Sequence, residues 1–416
     1  MSHNASIIFV DDDPYVLRGL RRRMLSRRPN WKMRFYESAQ QALLGLEQQP
    51  ADVVISDMRM PSMDGAEFLR IVAERWPQTS RILLSGFADQ TAIQNGAAAT
   101  HHFLAKPCSD SNIIQVAERG LIMNIYLRDP YLVNLLSIVP GHLIWPTTFR
   151  RLHSILQFSG PSSQAELTAF AKDHPALTAL ANELAQREQL IPGDSHHSFI
   201  KLLEILGIET IKALCVLWCE MGQPDNIDGK QISVNLHRPL VLGLMAAEIA
   251  RLRNLEPNSV DQIRAAALLC HIGDAFTARA VPDKHTASRH LADVDNCDII
   301  SAEISEMGFA HPAVSACLCA RWGFSHQIIE NIAFHHRPEA APTANSESLL
   351  IVYAAQYFAR KTGIDGAAWA QKYDLAGSYI TKCGAGTEWP VWEQACAEKH
   401  VLLKRAKHGA IWQGAS

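Results

Sequence analysis

The sequence predicts a doubly wound α/β domain followed by an all-helical domain. In the first part of the chain, short apolar runs end abruptly in polar residues, as where Ile7-Ile8-Phe9-Val10 precedes Asp11. Runs of this length are typical of parallel strands that are buried on both faces. Past Leu136 the apolar residues recur instead at helical spacing, and no alternating strand pattern competes with them. The chain therefore changes from α/β to all-α architecture along its length.

Polar residues stand at the ends of four of these predicted strands. They are Asp11 and Asp12, Asp57, Ser85, and Lys106-Pro107. In a doubly wound parallel sheet the carboxyl ends of the strands converge on one crevice, so residues far apart in sequence can meet there. We therefore expect the four segments to form one site.

The residue types at these strand ends suit the transfer of a phosphoryl group. The carboxylate of Asp57 can attack phosphorus and hold the group as an acyl phosphate. Asp11 and Asp12 can hold Mg²⁺, which prefers oxygen ligands and offsets the negative charge. Lys106 can direct its ammonium at a phosphate oxygen, and the Ser85 hydroxyl can donate to another. The sequence thus predicts a phosphoacceptor site around Asp57.

These strand-end residues carry a family resemblance over residues from about 5 to 125, which are similar to the receiver domain of two-component response regulators. The matching parts are Asp11-Asp12, Asp57, Ser85, Phe103 and Lys106-Pro107. The resemblance implies a flavodoxin-like fold, phosphorylation by a sensor histidine kinase or phosphotransfer protein, and a shift of Ser85 and Phe103 on phosphorylation. It also implies one further Mg²⁺ ligand beside the three aspartates, namely the backbone carbonyl of Arg59.

The first predicted helix opens at Asp13-Pro14, because proline is tolerated in a first turn, where its missing N–H is harmless. Its apolar residues recur at helical spacing and are Val16, Leu17, Leu20, Met24 and Leu25. Six arginines between Arg18 and Arg28 lie on the same segment, and we interpret them as a solvated face in preference to a nucleic-acid surface. The segment Ala88–Ala99 is small and polar, and we expect this weakly packed part to rearrange on phosphorylation.

Composition limits the remaining possibilities. With 416 residues the chain should hold two or three domains, and 48% apolar residues supply ample cores. A net charge of −3 gives no electrostatic reason to expect bulk nucleic-acid binding. The nine cysteines lack a paired metal-binding spacing, and no apolar run is long enough to span a bilayer. We therefore expect a reduced, cytoplasmic compartment.

A long helix is predicted to connect the two domains. Apolar residues continue from Asn112 until Asp129-Pro130, where the proline should end or bend the helix. We therefore assign a connector to residues 112–136, one all-α domain to 137–365 and a helical extension to 366–416. We expect two or three of the late tryptophans to dock on the all-α domain; these are Trp369, Trp389, Trp392 and Trp412.

Five segments of the helical part together carry a second family resemblance. They are Ile138-Val139-Pro140, Leu206 to Ile211, Ala266 to Gly273, Arg321 to Phe324, and Ile332 to Pro338. Together they resemble the HDOD family, a set of output domains related to HD-type phosphohydrolases. The resemblance implies an HD-like helical fold that serves as the output of the receiver. We interpret Gly273, Gly308 and Gly323 as helix ends.

The helical part departs from HD-type hydrolases at the metal ligands. Such enzymes need an adjacent His-Asp pair, with further histidine and aspartate ligands, to generate a hydroxide nucleophile. Here the pair is Cys270-His271, Arg238 falls where an upstream histidine is expected, and Asp274 is only a weak replacement. A retained single-metal site would require four histidines from different helices to converge, namely His271, His311, His335 and His336. We therefore expect neither a catalytic residue nor a cofactor in this domain.

Two classes of function remain. The preferred hypothesis is a non-enzymatic response regulator, in which a sensor kinase phosphorylates Asp57 and the HDOD-like domain binds a downstream signalling protein. The alternative is a phosphohydrolase that acts on a cyclic dinucleotide through an atypical metal site. DNA binding is disfavoured, because no helix-turn-helix with basic residues follows the receiver. Receivers often pair through the face that contains Phe103 and the last helix, so a homodimer is a further hypothesis.

Overall fold

The structure is a computed structural model, and the residues it describes are 5–76, 78–85, 100, 102–106, 108–127, 131–132, 135, 146–156, 161–192, 195–221, 229–341, 347–362 and 377–405. The chain divides into two compact units, Met1–Gly141 with Cys317–His326 and His142–Ala316 with Gln327–Ser416. Some segments interpreted from the sequence lie outside the described residues, namely Ala88–Ala99, Pro107, Asp129-Pro130, Ile138-Val139-Pro140, Trp369 and Trp412.

The first unit contains a parallel sheet of five strands. They are β1 (Ser6–Val10), β2 (Lys32–Tyr36), β3 (Val53–Asp57), β4 (Ser80–Ser85) and β5 (His102–Ala105), in the spatial order β2-β1-β3-β4-β5. The direction of winding reverses between β1 and β3, as in flavodoxin-like sheets. Val10 pairs with Ser56, and Asp57 pairs with Leu84, so the carboxyl ends of neighbouring strands share one edge. The predicted α/β fold is confirmed.

Helices cover both faces of this sheet. They are α1 (Pro14–Arg27), α2 (Ala39–Gln48), α3 (Gly65–Arg75) and α4 (Asp110–Leu127). Successive residues of a strand point to opposite faces. Accordingly, Ile7 packs in a core with α1 and α4, whereas Ile8 packs in a second core with α2 and α3. The first turns of α4 belong to the receiver, because Ile113 and Val116 are buried in the core around Ile7.

The first helix begins as predicted but buries fewer residues. Asp13 caps it, and its carboxylate accepts a hydrogen bond from the Tyr15 amide at 2.7 Å. The buried residues of the helix are Leu17, Leu20 and Met24. Val16 and Leu25 were expected on the same face and are 37% and 42% exposed. The prediction was wrong for these two, because adjacent helical positions point about 100° apart and the stripe facing the sheet is narrow.

The arginines of α1 form a partly solvated face that also reaches α4. Arg23 Nε lies 2.7 Å from Asp110 Oδ1, and Arg28 Nη2 lies 2.6 Å from Glu118 Oε1. Since these arginine side chains are substantially exposed, each pair contributes only about 0.2–1 kcal/mol. The pairs therefore help to orient α4 more than they stabilise the domain.

From Thr147 onward the described chain is helical, which confirms the all-α prediction. The helices are α5 (Thr147–Leu156), α6 (Pro161–Asp173), α7 (Pro175–Arg187), α8 (Phe199–Leu206), α9 (Ile208–Met221), α10 (Gly229–Leu252), α11 (Pro257–Leu269), α12 (Ile272–Ala280), α13 (Pro282–Val294), α14 (Ile299–Met307), α15 (His311–Arg321), α16 (His326–Phe334), α17 (Glu347–Lys361), α18 (Gly377–Lys382) and α19 (Trp389–Arg405). A 3₁₀ turn covers Pro338–Ala340. At the centre, α10 packs against α11 and α17. Among the helices described, none is both long enough and apolar enough to cross a bilayer.

The last helix, α19, packs on α10 and α17. Trp392 is buried, and the ring of Trp389 lies 4.9 Å from that of Phe358. Arg253 at the end of α10 bonds to Glu347 and also to Glu388 just before α19. Two of the four tryptophans expected to dock therefore do so, and the contacts are both apolar and ionic.

Two of the three glycines interpreted as helix ends have that role. Gly308 ends α14 with φ of 83°, and Gly323 follows α15 with φ of 75°, a region that favours glycine. Gly273 is different, because it is the second residue of α12. A Cβ there would lie 2.5 Å from the carbonyl oxygen of His311 and 2.7 Å from the amide nitrogen of Ser315. The missing side chain at Gly273 thus allows α15 to approach closely.

Candidate functional site

An ammonium group joins two carboxylates at the carboxyl edge of the sheet. Asp11 follows β1, Asp57 ends β3 and Lys106 follows β5. Lys106 Nζ lies 2.6 Å from Asp57 Oδ1 and 2.9 Å from Asp11 Oδ2. Three of the residues selected from the sequence therefore meet, although up to 95 positions separate them in the chain. The third acid, Asp12, follows Asp11 in the sequence and is exposed.

The two joined carboxylates are largely removed from water, since Asp11 is 4% and Asp57 is 9% exposed. Burial by itself would lower the pKa of Lys106, but its hydrogen bonds and its attraction to Asp57 and Asp11 raise that pKa above the ordinary value. Lys106 is therefore cationic and offsets the charge of the two acids.

A tight loop after β3 fixes the backbone around Asp57. Asp57 Oδ2 accepts from the Arg59 amide at 3.1 Å, and the Gly65 amide donates to the Met58 carbonyl at 2.8 Å. A Cβ at Gly65 would lie only 2.1 Å from the Asp57 carbonyl oxygen, so α3 can begin here only because Gly65 has no side chain. Sequence reasoning missed Gly65, although an Asp-Gly pair shortly after the acceptor was a usable signal.

The other residues selected from the receiver sequence are Ser85, Phe103 and Arg59. Ser85 ends β4 opposite Ala105, and Phe103 lies in β5 opposite Leu83. Their side chains lie outside what the structure describes. Arg59 is exposed and follows the end of β3 by two residues. The carboxylates that the structure brings together here are those of Asp11 and Asp57, which offer oxygen donors of the kind that Mg²⁺ prefers.

A second group of polar residues lies inside the helical unit. His271 stands between α11 and α12, His311 begins α15, and His335 and His336 follow α16. One nitrogen from each imidazole lies within 4.8 Å of the nitrogens from the other three. We call these residues the histidine cluster. The convergence from different helices that a single-metal site would require is therefore present.

Two hydrogen bonds hold the imidazole rings of His311 and His335 in defined orientations. His311 Nδ1 lies 2.8 Å from Glu303 Oε2, and His335 Nδ1 lies 2.6 Å from the carbonyl oxygen of Ile332. Both partners accept hydrogen bonds, so each Nδ1 carries the proton. The lone pairs of His311 and His335 are therefore on Nε2.

Two arginines contact the imidazole rings of His271 and His336. Arg238 Nη2 lies 3.0 Å from His271 Nε2, and Arg360 Nη2 lies 3.3 Å from His336 Nδ1. A guanidinium can only donate, so His336 Nδ1 presents a lone pair to Arg360. Oε1 of the Gln356 amide, which can only accept, also lies 2.9 Å from His271 Nε2, so this nitrogen has a donor and an acceptor within hydrogen-bond distance. Burial, with the nearby positive charges, lowers the pKa of His271 and His336 well below the ordinary value.

Glu303 is the acid beside the histidine cluster, and sequence reasoning did not select it. Burial alone would raise its pKa, but the charge and hydrogen bonds of His311, with the charge of Arg289, lower the pKa of Glu303 to about 2. Burial lowers the pKa of His311, and the Glu303 carboxylate opposes that shift only in part. Near neutral pH, Glu303 is therefore an anion that accepts from a neutral imidazole.

The residues at the expected His-Asp position supply no ligand of that type. The Cys270 thiol is buried and donates to the Ala266 carbonyl at 3.1 Å, and burial raises the pKa of Cys270 to about 12. Asp274 is hydrogen-bonded to His285 at 2.8 Å and contacts Arg289, so it does not join the histidine cluster. Arg238, which stands where an upstream histidine was expected, lies beside His271.

Comparison with known families agrees with this division of the chain. A family model described as "Response regulator receiver domain" matches residues 7–118, and one described as "HDOD domain" matches residues 201–338. The chain joins a receiver domain to an HDOD domain. The receiver match contains Asp11, Asp57 and Lys106, which we call the acid–lysine site. The histidine cluster belongs to the HDOD match.

Individual relatives cover only parts of the receiver–HDOD chain. The "Hydrogenase transcriptional regulatory protein HoxA" of Cupriavidus necator is 32% identical over 119 residues, which are 28% of this chain and 24% of that protein. The "C4-dicarboxylate transport transcriptional regulatory protein DctD" of Rhizobium meliloti is 36% identical over 124 residues, 29% and 26% of the two chains. The match thus spans about a quarter of the length of these relatives.

Two solved structures each resemble part of the chain. The signal receiver domain of an HD domain-containing protein from Pseudomonas fluorescens is 30% identical, covers 30% of this chain and 98% of its own, and has a TM-score of 0.28. An HDOD domain protein of unknown function from Geobacter sulfurreducens is 18% identical, covers 63% of this chain and 90% of its own, and has a TM-score of 0.47.

Proposed function

We propose that the protein is a response regulator that accepts one phosphoryl group on Asp57 and signals through a non-catalytic HDOD domain. The observation that carries the proposal is the contact of Lys106 Nζ with both Asp57 and Asp11 at the carboxyl edge of the sheet. This contact joins an acceptor carboxylate, a metal-binding acid and a phosphate-binding cation. Membership of the receiver family supports the same reading.

In the proposed reaction a carboxylate oxygen of Asp57 attacks the phosphorus of a phosphohistidine on a kinase or phosphotransfer protein. The new O–P bond forms as the N–P bond of the donor breaks, and the departing imidazole takes up a proton. The ammonium of Lys106 moves from the Asp57 carboxylate to the transferred phosphoryl group, because the negative charge now lies on the phosphoryl oxygens. The Ser85 hydroxyl donates to a further phosphoryl oxygen.

Mg²⁺ fits the oxygen donors of Asp11, Asp12, Asp57 and the Arg59 carbonyl. When bound, it offsets the repulsion between the acids and the phosphoryl oxygens. Lys106 already compensates part of the charge of Asp11 and Asp57, and Asp12 is exposed enough to change its orientation. The protein residues thus keep the acids close together before the ion and the donor arrive.

The output is proposed to be the binding of a downstream signalling protein. The residues at the HD position support this, because the Cys270 thiol is neutral and bonded to Ala266, and Asp274 is engaged by His285 and Arg289. No carboxylate of the described residues joins the histidine cluster as a bridging metal ligand. A hydrolytic centre built on paired metal ions lacks its usual bridging ligand here, so phosphohydrolase activity is not proposed.

Phosphorylation of the purified full chain tests the proposal. The protein is incubated with Mg²⁺ and acetyl phosphate, and the intact mass is measured; we expect one phosphoryl group, which Asp57→Asn removes. Asp13→Asn is the matched control. Asp13 directly follows the Asp11-Asp12 pair in the sequence and caps α1, a role that asparagine fills equally well. Equal labelling of Asp57→Asn and the parent would show that Asp57 is not the acceptor.

The output role needs a separate measurement. Protein phosphorylated on Asp57 and unphosphorylated protein are compared as baits, and a partner should be retained in only one of the two states. The Asp57→Asn variant, treated with the phosphodonor, serves as the control for effects of the donor itself. Identical binding in all three samples would refute control of the HDOD domain by the receiver.

A further inference from the structure

We propose that His271, His311, His335 and His336 bind a single divalent transition-metal ion, with Zn²⁺ as the best fit, inside the HDOD domain. The proposal does not depend on phosphorylation of Asp57. It replaces the expectation that this domain has no cofactor, which rested on the missing His-Asp pair and on the need for four histidines from different helices to converge. Their nitrogens lie within 4.8 Å of one another.

The spacing of the nitrogens is close to what a tetrahedral ion requires. Zn–N bonds of about 2.0–2.1 Å put neighbouring nitrogens of a tetrahedral site about 3.4 Å apart. His336 Nε2 and His311 Nε2 are already 3.2 Å apart. The larger separations have an upper limit of 4.8 Å, so moderate rotation of the rings is enough to close the site.

The hydrogen bonds on the far side of two rings favour metal binding. His311 gives its Nδ1 proton to Glu303, and His335 gives its Nδ1 proton to Ile332. Metal-bound histidines usually donate their other nitrogen to a carboxylate or a backbone carbonyl, which fixes the ring and increases its basicity. Both kinds of partner occur here, and both leave Nε2 directed at the histidine cluster.

The donor set selects the type of ion. Four neutral imidazoles without a carboxylate suit Zn²⁺ or another late divalent metal, whereas Mg²⁺ and Ca²⁺ prefer oxygen ligands. Four protein ligands close a tetrahedral shell and leave no position for a reactive water. The site is therefore expected to be structural or regulatory, which agrees with a non-catalytic output domain.

Two guanidinium groups oppose the ion. Arg238 donates to His271 Nε2, and Arg360 donates to His336 Nδ1, which must take up the ring proton if Nε2 of His336 is to bind the metal. Both contacts must break when the ion enters. Arg238 therefore sets the affinity from outside the ligand set, and removing its charge should strengthen binding.

Zinc binding by the full chain tests the site. The protein is treated with a chelator, dialysed and titrated with Zn²⁺ against a chromophoric competitor, and we expect one tight equivalent. Separate His311→Ala and His335→Ala substitutions should remove this equivalent. Exposed histidines can bind metal nonspecifically, so His196→Ala and His290→Ala are the matched controls and should retain it. Failure of the parent chain to bind zinc, or equal binding by the His311 and His335 variants, overturns the proposal.

Substitutions that keep all four histidines guard against misfolding of the alanine variants. Glu303→Gln should weaken zinc binding by about 10–100-fold, as loss of a carboxylate behind a histidine ligand does. Arg238→Met should strengthen it. Co²⁺ in place of Zn²⁺ in the parent protein should give the intense visible absorption of a tetrahedral site. A weak, octahedral cobalt spectrum, or zinc affinity unchanged in both variants, contradicts the proposal.

Discussion

Replacing Gly65 with alanine should destabilise the receiver, because α3 begins at this residue against the end of β3. A Cβ at Gly65 would lie 2.1 Å from the Asp57 carbonyl oxygen and 2.7 Å from a methyl of Leu83. Nonbonded heavy atoms pack at about 3.5–4.0 Å, so α3 or the loop before it would have to move by roughly 1 Å or more. Forced overpacking of this kind costs about 1–3 kcal/mol.

Gly19→Ala is the matched control for this substitution. A Cβ at Gly19 would approach only the end of the Arg23 side chain, at 2.9 Å, and that flexible side chain can rotate away. Gly19 lies within α1, where alanine is favoured over glycine by about 0.5–1 kcal/mol. The same chemical change should therefore have opposite signs at the two positions, with a difference of about 1.5–4 kcal/mol.

Hydrogen exchange on the full chain can measure this difference within the receiver. The opening free energy is obtained from amides in β1 and β3, whose ladder bonds exchange only when the receiver core opens. Gly65→Ala should lower it, and should also slow phosphorylation because the displaced carbonyl belongs to the acceptor residue. Equal protection in Gly65→Ala and Gly19→Ala would refute the argument from the close approach of α3.

Other expected outcomes concern the helical domain and its coupling to the receiver. Glu188→Gln should cost about 3–5 kcal/mol in urea unfolding, because Glu188 is the buried partner of Arg264 at 2.7 Å and of Arg251 at 2.6 Å. The parent protein should not hydrolyse cyclic dinucleotides with or without added Zn²⁺, and product detected by chromatography at a rate proportional to enzyme would contradict this. Ser85→Ala should still be phosphorylated on Asp57 but should show a smaller change in hydrogen exchange over residues 108–127 than the parent. Equal changes in both proteins would exclude Ser85 as the coupling residue.

The acid–lysine site could be predicted because it depends on local patterns and one rule of topology. The four strands that carry site residues at their ends were visible as apolar runs, and the polar residue after each run was visible too; β2, with the sequence Lys-Met-Arg-Phe-Tyr, was not. The convergence of strand ends then followed from parallel order. Gly65 was harder, since its role depends on how closely α3 approaches β3, and that distance is not encoded in any local pattern.

The histidine cluster could not be predicted with the same rules. Its members come from three separate segments of a helical domain, and helical periodicity gives no equivalent of a shared strand edge. Glu303, which orients His311, lies on α14 and looks like an ordinary helical acid in the sequence. Gly273 was interpreted as a helix end for a related reason, because a glycine that permits close packing and one that ends a helix look alike.

The hydroxyl of Ser315 links two elements at once. It donates to the Cys270 carbonyl and accepts from the Gly273 amide, each at 2.9 Å, and so fastens α15 to the turn between α11 and α12. A slide of α15 by even one residue would break both bonds and drive its backbone into Gly273. The turn that carries His271 and the first turn of α15, which carries His311, are therefore held in one register by a single hydroxyl group.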